Sequence, residues 1–289
     1  MEYEGTVYRP PSEARSLIIQ ATIGCAHNGC TFCTMYKDKT FRIRSKREIF
    51  KDLREMAASY GDDPLRIFLA DGDALALPTD MLLDILSEIR RLFLKVQRVT
   101  VYGTALDVIR KSEEELTALK NAGLAMVYMG SESGDKNILE WVRKGITREQ
   151  MIEAGKKLHR VGIELSLTLI SGLGGKKYLQ EHARESAWLV SQIKPEYLGF
   201  LTLMLEEGAP ILDEIRSGNM ELLSPEDIVQ EMQIFLENVD SEGTVFRANH
   251  ASNYIILKGV LNRDIPKMLN YLDEVGQKQR FRPEQSRRL

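Results

Sequence analysis

Apolar residues along this chain fall into short runs of strand length, separated by longer stretches in which they recur every three or four positions. That alternation of periods predicts strands alternating with amphipathic helices. Residues 16–23, which include Leu17-Ile18-Ile19, form the first buried strand, and a polar loop rich in cysteine follows it directly. A helix is expected from Ser45 through Ala58. Residues 66–70 are the second strand, followed by Asp71-Gly72-Asp73 and a helix over 79–93 with Leu82, Ile85, Leu86 and Ile89 on one face. The third strand, 98–102, leads to a helix opened by Ser112 with Glu115 three residues on, a capping box. The same unit returns with strands at 125–129, 163–170 and 197–205. Helices are expected to about Val142, from Thr147 to about Arg160, and over 178–193. Ser224-Pro225 begins another, with Ser as N-cap and Pro at the first helical position.

Six strands, each followed by a helix, imply a parallel sheet joined by right-handed crossovers. Such units build an open, partial barrel or a doubly wound sheet, and in both ligands gather at the carboxyl ends of the strands. The polar and glycine-rich residues do sit there: Asp71-Gly72-Asp73 after strand two, Tyr102-Gly103-Thr104 after strand three, Gly130-Ser131-Glu132-Ser133-Gly134 after strand four, and Ser171-Gly172 after strand five. The expected organisation is a lead over 1–15, an α/β domain over 16–238 and an extension over 239–289. That extension carries a polar cluster (Arg247, Asn249, His250, Asn253, Tyr254), an amphipathic helix over 264–277 and a frayed basic tail.

Chemistry enters with the first loop. Cys25, Cys30 and Cys33 are all the cysteines of the 289 residues, spaced C-x4-C-x2-C. An odd count and no sign of export argue against a disulfide. Taken alone, the trio fits either zinc bound with His27 or three corners of a [4Fe–4S] cluster with one iron left open. The net charge of −3, with 28% charged residues, argues against a general nucleic-acid binder. No apolar run approaches the ~20 residues of a membrane span, and the N-terminus lacks the pattern of a secretory signal, so a cytoplasmic protein is expected.

Together these residues resemble the radical S-adenosylmethionine (SAM) superfamily, in particular the branch of oxygen-independent coproporphyrinogen oxidases and Elp3-like proteins, over roughly 16–205. The resemblance implies an α/β fold, a partial (β/α)6 TIM-like barrel with a short C-terminal extension. It implies two cofactors, a [4Fe–4S] cluster held by Cys25, Cys30 and Cys33 and SAM on the open iron, which leaves His27 a loop residue. It implies SAM contacts from Phe32, from Asp71-Gly72-Asp73 (amino group), from Ser131 and Glu132 (ribose), from Lys144 (carboxylate), and from Ser171 and Leu173 (adenine). The partners it implies are a small-molecule substrate and an external one-electron reductant of flavodoxin or ferredoxin type. His250, Tyr102 and Glu206 are the candidate catalytic groups near the mouth, His250 because imidazole titrates near neutrality.

The chain departs from the family pattern in two places. The common spacing is C-x3-C-x2-C, one residue shorter in the first gap. The further cysteine of the coproporphyrinogen oxidases is Met35 here, which removes support for porphyrinogen decarboxylation. The basic stretch 37–51, with seven Lys/Arg and two acids, raises an RNA-modifying alternative. A non-catalytic carrier of metal or cluster on the same fold is the other.

Overall fold

The computed structural model describes residues 3–61 and 63–287. In chain order the strands are β1 (Leu17–Gln20), β2 (Thr22–Ile23), β3 (Arg42–Ile43), β4 (Arg66–Ala70), β5 (Arg98–Tyr102), β6 (Leu124–Glu132), β7 (Glu164–Ser171), β8 (Tyr197–Thr202), β9 (Val245–Ala248) and β10 (Leu257–Val260). The α-helices are α1 (Lys46–Tyr60), α2 (Thr79–Leu92), α3 (Ala105–Arg110), α4 (Glu113–Ala122), α5 (Lys136–Trp141), α6 (Arg148–Val161), α7 (Leu179–Ile193), α8 (Ile211–Arg216), α9 (Pro225–Asn238) and α10 (Ile265–Lys278). An eight-stranded sheet has the order β1-β4-β5-β6-β7-β8-β9-β10, and β2 with β3 makes a separate antiparallel pair. This is the mixed α/β, partial TIM-like barrel expected.

Local chemistry explains the helix starts. Ser45, Thr104, Ser112 and Ser224 each accept the N3 backbone N–H, while Glu48, Asp107, Glu115 and Asp227 reach back to the cap, so two orphan donors are satisfied at each end. Gly123 ends α4 at φ 111°, a left-handed conformation only glycine adopts cheaply.

The chain divides into two compact units. The first takes residues 1–28, 35–129 and 156–165, and holds β1, β4 and β5 in parallel register with the start of β6. Its strands are buried almost throughout, with Ile19, Ile67, Phe68, Leu69 and Val101 fully enclosed.

The second unit takes residues 29–34, 130–155 and 166–289. There β7, β8 and β9 run parallel and β10 returns antiparallel to β9. Burial alternates strictly along β7 and β8 between buried and half-buried, so one face of this sheet is covered more deeply than the other. Phe200 and Phe246 on the more deeply covered face stack against Phe235 of α9, with ring centroids 4.7 and 6.4 Å from it.

The segment expected as an appended extension therefore supplies two strands of the sheet. Nor is the basic tail loose as far as residue 287, its last two residues lying outside the described ones: Arg287 donates to the carbonyls of Ser252 and Leu203 at 2.6 and 3.0 Å and lies over the Tyr254 ring, and Arg282 donates to Ala251. Backbone carbonyls and the Glu284 carboxylate together take up the donors of Arg287, a pattern the periodicity of a tail cannot reveal.

Candidate functional site

In the first unit the loop carrying the cysteines is tied at its root by Asp71. This carboxylate is fully buried, and its Oδ2 accepts from Lys39 Nζ at 2.8 Å, from Gly24 N at 3.2 Å and from Gln20 Nε2 at 3.4 Å. Gly24 precedes Cys25 and Lys39 lies beyond Cys33, so one carboxylate grips both ends of the loop. Such a buried ion pair contributes position more than stability, because desolvation offsets most of its attraction. Asp71 is expected beside the SAM amino group, and its Oδ2 faces the loop root.

Asn28, the third of the four residues between Cys25 and Cys30, has φ 40°. Its side-chain amide donates to the Tyr36 carbonyl at 2.7 Å, and its own carbonyl accepts from Lys37 at 2.6 Å. Asn tolerates the left-handed region because its short polar side chain finds a local partner. The long first gap thus ends in a fixed turn.

Tyr36 is buried against Gly72, where a Cβ would stand 2.6 Å from its ring. The Tyr36 hydroxyl and Asp71 Oδ1 are buried and make no hydrogen bond. Burial, reinforced by the Asp71 charge, pushes the Tyr36 hydroxyl far above the ordinary tyrosine range. Asp73 is buried at the head of a short 3-10 turn over Ala74–Ala76. Tyr102, half-buried at the end of β5, meets Phe68 and Tyr128 edge-on at 4.9 and 6.1 Å. These aromatic contacts give it a packing role in the sheet interior.

In the second unit the tip of the cysteine loop is held by backbone. Thr31 N donates to the Val142 carbonyl at 3.0 Å, and the Thr31 carbonyl accepts from Ile211 at 3.0 Å. Phe32 packs on a buried apolar cluster containing Ile138, Val142, Leu173 and Ile211. Phe32 and Leu173, both expected near adenine, therefore share one apolar wall. Glu206 is exposed and accepts from the Thr34 hydroxyl beside Cys33.

The strand-four motif is shaped by α7. A Cβ on Gly134 would stand 2.1 Å from the Glu185 carbonyl oxygen, and the Gly134 N–H donates to Ser186 Oγ at 3.0 Å. Glu132 takes φ 64°, and its carboxylate accepts from Lys144 at 2.9 Å, both groups largely buried. Ser131 Oγ is buried without a hydrogen bond. The Ser171 hydroxyl donates to Glu231 Oε2, which also accepts from Gly172 N at 2.8 Å.

Glu231 on α9 and His182 on α7 were not anticipated. The two side chains are 1% exposed, with Nδ1 of His182 2.8 Å from Glu231 Oε1 and Nε2 3.5 Å from the Glu132 carbonyl oxygen. Burial works against a charged His182 ring, but the Glu231 carboxylate outweighs it and raises the pKa above the ordinary value. This pair joins the strand-four and strand-five motifs. On a helical wheel the two positions read simply as polar, so no local pattern marks them.

His250 is half-buried and bound within its own turn, where Nδ1 accepts from Ser252 N at 3.1 Å. Burial and Arg282 lower its pKa. Ser252 and Asn253 are fully buried and fastened to the end of β8 through Thr202 and Phe200. Much of the polar cluster after β9 is therefore spent on holding that turn.

All three cysteines are half-buried, and none is in a disulfide. Three thiols on one loop, with no disulfide, fit a three-thiolate ligand set. Among the described residues no group of three or more His, Cys, Asp or Glu is gathered closely enough to hold a metal ion.

A parallel α/β sheet with a cysteine-bearing loop after its first strand and an acid–base pair after its fourth defines a class of cofactor-dependent barrels. Residues 19–186 match the model of the radical SAM superfamily, and the chain belongs to that family. Members of that family carry a [4Fe–4S] cluster and SAM as cofactors. The chain is 27% identical over 158 residues to the uncharacterized methyltransferase PH0819 of Pyrococcus horikoshii, covering 54% of this chain and 32% of that protein. It is 22% identical over 263 residues to the uncharacterized protein MJ0486 of Methanocaldococcus jannaschii, covering 87% of this chain and 76% of the other. The coproporphyrinogen III oxidase HemN of Escherichia coli shares the fold, with a TM-score of 0.56 at 17% identity, over 78% of this chain and 54% of that one. The chain thus spans about a third of the first of these relatives and most of the second.

Proposed function

We propose that this protein acts on a small-molecule substrate by hydrogen abstraction, with Cys25, Cys30 and Cys33 as the cluster ligands. When bound, the cluster supplies the electron that cleaves SAM to methionine and a 5′-deoxyadenosyl radical. The chain's own residues do the holding. The three thiolates carry the iron, and Asp71 and Asn28 fix the loop that bears them. Glu132 offers a carboxylate to the ribose hydroxyls, and Lys144 offers a cation to the SAM carboxylate. Phe32 and Leu173 offer an apolar wall to adenine. His250, Tyr102 and Glu206 remain the candidates nearest the substrate. The electron comes from an external flavodoxin- or ferredoxin-type donor, in keeping with a cytoplasmic location. Among the described residues no helix is long and apolar enough to cross a membrane.

The observation that carries this reading is the close pairing of Glu132 with Lys144 at a strand end, in a chain whose only cysteines are three thiols on one loop with no disulfide among them. The basic stretch 37–51 lends little to an RNA reading, because at least four of its seven cations are paired within the protein: Lys39 with Asp71, Arg42 with Glu4, Arg44 with Asp52, and Lys46 with Asp84. Anaerobic reconstitution should give a protein that turns SAM into 5′-deoxyadenosine and methionine under a strong reductant, with the activity lost in Cys30→Ala. Fully reconstituted protein that neither binds nor cleaves SAM would remove the reading. One zinc and no iron after anaerobic purification would favour the carrier instead.

A further inference from the structure

In the second unit four residues line up across the sheet. Thr168 of β7 pairs with Gly199 of β8, Gly199 with Arg247 of β9, and Arg247 with Lys258 of β10. The row lies on the less deeply covered face. Phe246, next to Arg247, stacks on α9, and Gly259, next to Lys258, faces Met268 of α10. Side chains alternate along a strand, so Arg247 and Lys258 point the other way. Both are exposed, while Thr168 and Gly199 are half-buried beside them.

Two cations directly opposite each other on antiparallel strands repel and weaken the pairing. Among the described residues neither has a carboxylate partner, and the hydrogen bonds of Arg247 run only to backbone, from Nη1 to the carbonyls of Phe246 and Gly259 at 2.7 and 3.3 Å. A lysine on an edge strand is ordinary protection against edge pairing, and β10 is an edge. That reason does not extend to the arginine facing it from β9. Gly199 leaves space between the Thr168 hydroxyl and the guanidinium, as its Cβ position meets nothing closer than 3.8 Å. A hydroxyl, a gap and two cations form a ready recess for an oxyanion, which guanidinium groups grip through paired N–H donors.

We propose that Arg247 and Lys258, with Thr168, bind an anionic group (a carboxylate or a phosphate) of the small-molecule substrate. Thr168 lies three residues before the carboxyl end of β7, so the anion sits about 10 Å along the strand from that end. This assignment rests on the small-molecule reading above and narrows its substrate to oxyanion-bearing compounds.

The test titrates the intact protein with pyrophosphate and, separately, with citrate at constant ionic strength, with chloride as the control and calorimetry as the readout. Wild type should bind one of the two saturably, the preferred probe distinguishing phosphate from carboxylate chemistry. Binding should weaken at least tenfold in Arg247→Gln and in Lys258→Thr and stay unchanged in Lys267→Gln, which removes an exposed charge from α10. Relief of the repulsion should leave the melting temperature of Lys258→Thr equal to or above that of wild type. Failure of both probes to bind wild type, or equal binding by the variants, overturns the assignment. So does a fall of several degrees in the melting temperature of Lys258→Thr, which would give the lysine to sheet stability. Steeply salt-dependent tRNA binding that needs Arg247 and Lys258 would also overturn it, in favour of a polynucleotide. Wild-type protein that binds the anion but never cleaves SAM would sink the enzymatic reading alone.

Discussion

Replacing Glu231 with alanine should be among the most damaging single changes in this chain. The carboxylate is buried and takes three partners: the Ser171 hydroxyl, the Gly172 N–H and His182. Removing it leaves the Ser171 hydroxyl, the Gly172 N–H and the His182 ring enclosed without their partner, and breaking such a buried pair costs about 3–5 kcal/mol. Against a total stability of about 5–15 kcal/mol this is a large fraction. Urea unfolding of the apoprotein should show it as a lowered midpoint at unchanged slope. The double variant Glu231→Ala, His182→Ala should be less destabilised than the sum of the two singles, by about 1–3 kcal/mol for groups in direct contact. The pH dependence gives an independent check. The folded pKa of His182 is raised above its unfolded value, so the pair's contribution is full below about pH 6.5 and is lost as pH rises through the folded value. Wild-type stability should therefore fall with rising pH in that window, and His182→Gln should flatten the slope. A cost under about 1 kcal/mol for Glu231→Ala, or strict additivity in the cycle, would refute the reasoning, since an interacting buried pair cannot give either.

Other expectations follow from single contacts. Gly134→Ala drives a methyl into the Glu185 carbonyl and should lower SAM affinity by distorting the loop that carries Glu132, read as a raised dissociation constant in equilibrium dialysis. Glu132→Gln keeps the shape but removes the charge facing Lys144; SAM binding should weaken about tenfold, the effect of losing roughly 1.4 kcal/mol, with the fold unchanged by circular dichroism. Asn28→Val places a β-branched residue at φ 40° and deletes the bond to Tyr36, so iron bound per chain after reconstitution should drop, while Asn28→Gly should retain most of it.

What could be read from the chain beforehand depended on whether a single residue pattern carried the signal. The capping box at Ser112, the N-cap at Ser224 with Pro225 behind it and the alternation of strands with helices are local, and each was found where its chemistry requires. The cysteine trio was equally plain. β9 and β10 were hidden because each is four residues long and carries an exposed cation that breaks the apolar pattern. α8 was missed because six residues are too few to show a helical period. Asp71, Ser171 and Glu231 show the deeper limit. The first two stand at strand ends, as candidate ligand contacts should, yet their side chains serve neighbouring backbone and side chains. Only packing decides which way a polar residue at a strand end turns.

The clamp at Asp71 changes what the unusual cysteine spacing means. Gly24 and Lys39 are both anchored to one carboxylate, so the residues between them form a closed ring of roughly fifteen members. Ring closure scales with the logarithm of length, and one member more costs under about 0.1 kcal/mol. Asn28 then takes up the slack in a single left-handed turn. The interval between the first two thiols is therefore an adjustable length inside a fixed circumference. What the fold holds constant is where the ring is fastened.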